Sequence, residues 1–523
     1  MSWWAPFAVR RWGRCAPEYH PPPMRRLLAT LLILPILTIA GCGGGDDSSP
    51  LDAALRYLPK DASFAAALDT DPSGEQFKAL GALLDKFPFG DQIKGSLLQQ
   101  FEQSAGGVRY EQDVKPVLGN PLVVGAASGD AITGGSGAFV VAIQAKDEGA
   151  LDDLIAKTKP KKTGEASGAT LYSDGGSVFA VENDMVVFAS DEAQLKKALE
   201  RADGDSHFDE NAFNDGLDGL PDSALARVYA DVETLLKSDP ASADALRVKW
   251  IAALRTLGLT VTAQDSSLDV DFRLRTDGDL GDADLPIAPG DDAPPVIKRQ
   301  GEVGFGVRGL AHIVHFAESA GQSIDPAGFG DYAKAKTTID KQLGVSLDDD
   351  LIGQLTGNVS ASVALDGGFG VRADLEDARA FERTLAKVAD VLPSFAEGAG
   401  FGTVTLSKPD AGNRFYELAK SGGGSVVFGV VGDVLVVASD RARAEDFASA
   451  TPAEVAGASG SVVLGADAEQ LVQSLIESFG PAFGIPDVGA LGTGLLTRPL
   501  GELGGHASAS PDELRGKFTL AIE

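Results

Sequence analysis

His312-Ile-Val-His315-Phe-Ala-Glu318 sets two imidazoles and a carboxylate at i, i+3 and i+6. On a helix this spacing puts all three on one face, with donor types that suit zinc. The chain has no H-E-x-x-H, so the expectation is a solvated helical face and no metal. Gly304-Phe-Gly306-Val-Arg-Gly309 matches G-x-G-x-x-G letter for letter. A dinucleotide cradle needs those glycines in the turn after a buried strand, with phosphate on the next helix N-terminus. Lys298-Arg-Gln-Gly-Glu302 precedes them instead, so Gly304 and Gly306 are expected within a strand, without a nucleotide. Asp277, Asp279, Asp282 and Asp284 hint at calcium, but the twelfth position counted from Asp277 is Ala288 rather than a bidentate Glu. Asp348-Asp349-Asp350 reads as surface charge, and His207 and His506 stand alone. There is no G-x-S-x-G and no P-loop, and the only cysteines are Cys15 and Cys42. A Cys/His nucleophile inside a folded body is thereby excluded. No catalytic, cofactor or metal residue is assigned, and an enzyme is not expected.

Cys42 carries the clearest chemistry. Met24-Arg25-Arg26 gives a basic start, and Leu27 to Ala40 follows without a charge. A membrane-spanning helix needs about 20 apolar residues; this run is shorter and broken by Pro35, which suits an export-signal core. It ends in Ile39-Ala40-Gly41-Cys42. Small residues before a Cys resemble the lipobox of bacterial lipoproteins. That resemblance implies a diacylglyceryl group on the Cys42 thiol, acyl chains of the palmitate type, and cleavage before Cys42. Residues 1–41 are read as the signal peptide, with translation expected to start at Met24. Residues 42–50 (Cys-Gly-Gly-Gly-Asp-Asp-Ser-Ser-Pro) are small and polar, a flexible tether.

The remainder has the composition of folded protein. Of 523 residues, 44% are hydrophobic and 23% charged, which excludes wholesale disorder. A net charge of −30 argues against nucleic acid, since phosphate binding needs clustered Lys and Arg. Residues 1–41 hold five Arg and one Glu, so residues 42–523 are more acidic still. Such a surface is repelled by anionic headgroups, leaving the acyl chains as the membrane contact.

The body reads as one unit written twice. Met185–Ala189 matches Val434–Ala438 at an offset of 249, each run followed by Ser-Asp. Phe139 and the Leu151–Lys157 stretch match Phe369 and Phe381–Lys387 at offset 230, and Gly119-Asn120 matches Gly357-Asn358 at 238. Ala230-Asp231 matches Ala466-Asp467 at 236, and Phe272 matches Phe518 at 246. The later copy is expected to carry its 19 extra residues in the glycine-rich stretch 398–424. The expected domains are residues 51–276 and 298–523, joined by an acidic Pro/Gly linker at 277–297. Each is expected to be α+β: an antiparallel sheet with helices mainly on one face, the two related by a pseudo-twofold. Met185–Ala189 and Val434–Ala438 are apolar throughout, as strands covered on both sides must be. Leu268, Val270, Phe272 and Leu274, like Phe518, Leu520 and Ile522, alternate with polar residues and are expected to face a core. Helices are expected at 147–157, 191–200, 240–256, 377–391 and 468–478, with Asp191 and Asp440 as N-caps.

Leu58-Pro-Lys-Asp-Ala-Ser-Phe64, Leu68-Asp69-Thr70-Asp71-Pro72 and Phe87-Pro88, with Gly119-Asn120 and the Ala-Ser-Asp strand ends, resemble the domain-of-unknown-function 3352 family of bacterial exported proteins. The family has no assigned activity and implies no catalytic residue. The expectation is therefore a lipid-anchored envelope protein on the extracytoplasmic side of the membrane, a non-enzymatic binding or structural module with a protein or hydrophobic partner. A lipid carrier using a groove between the repeats and an unrecognised hydrolase are the alternatives.

Overall fold

In the computed structural model the described residues are 49–523, apart from 89, 127–138, 175–176, 399–401, 411, 480–493 and 495–496. They divide into two compact units. One comprises residues 49–243, 254–277 and 521–523; the other comprises 244–253 and 278–520. No helix among the described residues is long and apolar enough to cross a membrane.

The first unit is an antiparallel sheet of β1 (Phe64–Leu68), β2 (Leu122–Ala126), β3 (Phe139–Gln144), β4 (Lys161–Ala166), β5 (Ala169–Asp174), β6 (Ser177–Glu182), β7 (Met185–Ala189), β8 (Ala226–Asp231), β9 (Leu254–Ala263) and β10 (Ser267–Thr276). Its spatial order is β4-β5-β6-β7-β3-β2-β1-β8-β9-β10. The second unit has β11 (Glu302–Arg308), β12 (Asn358–Ala364), β13 (Phe369–Asp374), β14 (Val404–Ser407), β15 (Tyr416–Lys420), β16 (Ser425–Val431), β17 (Val434–Ala438), β18 (Val462–Asp467), β19 (Leu500–Ala509) and β20 (Glu513–Ile522). They lie in the order β14-β15-β16-β17-β13-β12-β11-β18-β19-β20, again antiparallel. Val140 stands opposite Ala189, and Gly370 opposite Ala438. Ala65 pairs with Tyr229, and Gly304 with Gly465.

The helices cover both faces of the central strands, not mainly one. In β7, Met185 and Val187 pack with Leu195, Ala198 and Leu199 of the Glu192–Ala202 helix, while Val186 joins Phe101, Tyr110 and Leu151 beneath the opposite face. In β17, Val434, Val436 and Ala438 pack with Ala444 and Phe447, while Leu435 and Val437 pack with Phe381, Leu385 and Ala389. Successive side chains on a strand point to opposite faces, so a strand apolar at every position needs cover on both. The hairpins that lead into these strands turn at Asn183 and Gly432, whose φ angles are 51° and 63°. Asn and Gly tolerate this left-handed conformation best.

Aspartates start the helices. Asp191 accepts from Gln194 N at 2.9 Å and Asp440 from Arg443 N at 2.9 Å, as the sequence predicts. Asp147 and Asp377 cap Glu148–Thr158 and Ala378–Ala389; Asp231 and Asp467 begin the helices after β8 and β18.

Four further expectations change. The helix expected over 240–256 is two 3-10 turns and a short helix, Lys249–Ala253. β9 already begins at Leu254, because Thr256, Thr260 and Thr262 alternate with apolar residues in strand fashion. Phe518 is 42% exposed rather than core-facing, whereas Asp269 in the other alternating strand is buried. The extra length of the second unit starts before 398, with a helix at Leu392–Gly398. Finally, the 277–297 tract is not a solvated linker. Leu280, Leu285, Ala288, Val296 and Ile297 are buried, Leu285 against Ala253, Ala509 and Trp250. Its acidic average conceals a few apolar anchors.

Leu285→Ala is expected to cost about 2–4 kcal/mol through a cavity. A solvated linker residue would change stability by less than about 0.5 kcal/mol, and urea unfolding followed by circular dichroism distinguishes the two. Backbone hydrogen bonding at the helix start holds the Asp440 carboxyl below its usual value. A lowered folded-state value stabilises above the unfolded value of about 3.9, and that contribution disappears as pH falls below it. Asp440→Ala should therefore cost about 1 kcal/mol at pH 7, and its melting curve should approach that of the wild type as the pH drops toward 3.

Candidate functional site

The helices Leu310–Ile324 and Pro326–Leu343 form a hairpin in the second unit. Asp325 caps the second helix through Gly328 N at 3.0 Å, and Gly344 ends it at φ 61°. The hairpin gathers an ionisable cluster. His315 Nδ1 lies 3.7 Å from Glu318 Oε2, one turn along the same helix. Tyr332 OH donates to Glu318 Oε1 at 2.7 Å, and Lys336 Nζ donates to the same oxygen at 2.7 Å. Lys336 also pairs with Asp348, in the short helix Leu347–Asp350. That helix is fixed by Ser346 at its cap and by Leu347 N donating to Asp340 Oδ1 at 3.0 Å.

Burial pushes the Glu318 carboxyl up, but the hydrogen bonds from Lys336 and Tyr332 outweigh it and hold the group below its usual range. Burial, and then the bond to Glu318, push Tyr332 up to about 12. Burial lowers Lys336, but its bonds to Asp348 and Glu318 raise it overall. The cluster is thus an ammonium seated between two carboxylates beside a half-exposed imidazole.

The structure splits the expected His312–His315–Glu318 face. His312 Nε2 lies 2.9 Å from Leu285 O, committed to the buried 277–297 tract. Asp348 takes its place: single donor atoms of His315, Glu318 and Asp348 lie within 4.8 Å of one another. The three neighbouring aspartates diverge, since Asp349 bonds Ser346 Oγ and Asp350 accepts Ser346 N. Sequence reasoning read Asp348 as surface charge and missed Lys336 and Tyr332. The only sequence signal for them is that Tyr332 and Lys336 stand one helical turn apart.

A second polar centre is closed to solvent. Glu302 accepts from Ser362 Oγ and, at 2.9 Å, from Arg443 Nη1; Arg299 lies 3.4 Å from its other oxygen. Ser362 is fully buried, so this serine–carboxylate pair offers no access to a substrate.

The family-like motifs of the first unit converge at one end of its sheet. Thr70 Oγ1 donates to Asn120 O at 2.6 Å and accepts from Gly119 N at 3.1 Å. Asn120 Nδ2 donates to Gln144 O at 3.1 Å, and Gln144 Nε2 donates to Asp184 at 2.8 Å. Burial pushes Asp69 up. It also pushes Asp71 up, but hydrogen bonds from Ser73 outweigh it and lower the group. These residues tie the turn after β1 to the segment that enters β2, to the end of β3 and to the turn between β6 and β7. In the second unit the corresponding tie is direct, from Gly309 N to Gly357 O at 3.2 Å.

A family model described as "Protein of unknown function (DUF3352)" matches residues 27–282. The first half of the chain resembles that family. No curated protein matches the chain. Among solved structures, crystal form IV of TP0453 shares 11% identity at a TM-score of 0.25, covering 42% of this chain and 80% of that one. Form III shares 9% at 0.25, covering 43% and 79%, and form I 8% at 0.24, covering 44% and 80%. Likeness at this level carries no argument here. The Thr70, Gly119 and Asn120 positions that carry the DUF3352 resemblance are the ones that knit the β1 turn, so their work is architectural.

The remaining sequence candidates also find structural roles. Gly304 and Gly306 lie inside β11, as expected. A Cβ on Gly304 would stand 2.7 Å from Ile297 O, and one on Gly306 2.8 Å from Pro294 O. The glycines make room for the 294–297 backbone. Asp277 pairs with Arg255 at 2.6 Å, while Asp284 pairs with Lys249 at 2.6 Å. His207 neighbours Pro59 in a β-bridge, and His506 lies in β19 opposite Val463. Cys42 lies outside the described residues.

Arg443→Met strands a buried carboxylate and should cost about 3 kcal/mol, with Glu302→Gln of similar size. The double variant should cost less than the sum of the two, because each single change leaves the other partner exposed to the same loss. Denaturant unfolding of the three variants measures this; strict additivity would rule out coupling.

Proposed function

We propose that the chain is an exported lipoprotein, held to the membrane by a diacylglyceryl group on Cys42, whose body is a non-enzymatic binding or structural module. The observation that carries this reading is the order basic start, uncharged apolar core, small residues and Cys across residues 24–42. The body supports it. Its first element, the Pro50–Leu55 helix with Ser49 as cap, follows a short polar run after Cys42. That spacing suits a tether. With no cysteine after Cys42, the body has no internal disulfide to form and is stabilised by apolar burial.

The same reading takes the two units as copies of one duplicated unit. Support comes from the shared strand order, the shared register at β3–β7 and β13–β17, and the three capping aspartates in each. A module is favoured over a carrier by the packing, since both faces of the central strands are filled. A cavity lined by Pro289, Asp291, Ser508, Ser510 and Arg515 has a volume of about 270 Å³. That is below the roughly 300–1,000 Å³ of small-ligand pockets, and several of its walls are polar.

Expressed in a bacterial host fed labelled palmitate, the wild-type chain should take up label and enter the detergent phase on Triton X-114 partitioning. Cys42→Ala should remain unlabelled and aqueous. Equal labelling of the two proteins would overturn the assignment.

A further inference from the structure

We propose that His315, Glu318 and Asp348 form a divalent metal site of the zinc class, in which the Lys336 ammonium is the resident cation that the metal displaces. One imidazole and two carboxylates are a donor set that zinc accepts. Two donors are set by the i, i+3 spacing on a regular helix, and the third by a capped helical turn, so the frame is built without the metal. Three ligand atoms around zinc lie about 3.4 Å apart when bonds are about 2.0–2.1 Å. The observed 3.7 Å between His315 Nδ1 and Glu318 Oε2, and the 4.8 Å limit over all three, require only small side-chain rotations.

Lys336 is the second observation that points to a cation. Its side chain is 13% exposed, yet its Nζ is brought between Glu318 and Asp348 from the neighbouring helix. A carboxylate pair that holds a point charge there offers the same oxygens to a metal. Lysine has a flexible four-carbon stem, so it can withdraw to solvent when a more highly charged ion enters. His315, 53% exposed at its side chain, gives that ion a route in and distinguishes a metal from a second ammonium by offering a nitrogen lone pair. Tyr332, donating to Glu318 at 2.7 Å, orients the carboxylate from behind.

The test is a titration of the full chain with zinc chloride against a chromophoric chelator. Wild type should bind one zinc at this site. His315→Ala should weaken that binding by about tenfold or more. Lys336→Met should strengthen it by about tenfold, because the competing ammonium is gone. Lys336→Met also leaves Glu318 and Asp348 unbalanced, so zinc should raise its melting temperature more than that of wild type. Asp348→Asn, on the surface, provides a variant whose folding is not in question and should weaken binding as His315→Ala does. Zinc affinity indifferent to both His315→Ala and Asp348→Asn, or no tighter in Lys336→Met, would overturn the site. Cys42 acylation plays no part in these readouts.

Discussion

Each unit depends on burying a strand on both faces. β7 and β17 have no polar side to show to water, so neither sheet is stable until helices lie above and below it. That demand explains the pattern of helix starts. A helix laid across a buried strand begins with unpaired N–H groups close to the sheet, and those groups need an acceptor. Aspartate at the strand end supplies one immediately. Asp191 and Asp440 follow their strands within two residues and cap the helix that returns over them. The strand end and the helix start are therefore one feature, the Ala-Ser-Asp step.

Much of this was legible in the sequence. Apolar runs without alternation gave away the two-faced strands, and Asp after Ser gave away the caps. The same runs already argued against cover on one face only. The helix expected over 240–256 failed because the window holds apolar residues at spacings that serve either period, and β9 pairing decided the outcome at Leu254. The 277–297 tract failed for a different reason. Composition averages over a window, whereas Leu285 needs only its own position to be buried. The hairpin cluster was half legible. His315 and Glu318 share a helix, and local spacing finds them. Asp348 is joined through Lys336, and nothing in a single sequence announces a meeting between separate helices.

The second unit departs from the first where its chemistry lies. Ala65 and Ala67 occupy the strand positions at which the second unit has Gly304 and Gly306, and those glycines allow Pro294–Ile297 to cross. The crossing brings the 277–297 tract against the start of the hairpin, where Leu285 O meets His312. One imidazole of the pair is thereby committed to structure and the other remains half-exposed. Glu302, the first residue of β11, is satisfied internally by Ser362 and Arg443 and remains out of reach. The same strand thus explains why one polar centre is closed and the other open.

The acidity of the chain acquires a partial physical cause from the same features. Among the described residues, Asp147, Asp191, Asp209 and Asp231 in one unit and Asp325, Asp377, Asp440 and Asp467 in the other start α-helices, and Asp184 and Asp433 lie in the hairpin turns. Their carbonyl or carboxylate oxygens are fixed by hydrogen bonds, so these charges are placed by architecture rather than by a partner. Helix N-termini favour a negative charge by about 0.3–1 kcal/mol each. Two units that both cap their helices with Asp accumulate negative charge without selecting for it. Negative charge of this kind opposes close approach to other anionic surfaces. That is why the acyl group on Cys42 matters to the proposal: it would supply a membrane attraction that does not depend on the charge of the folded surface.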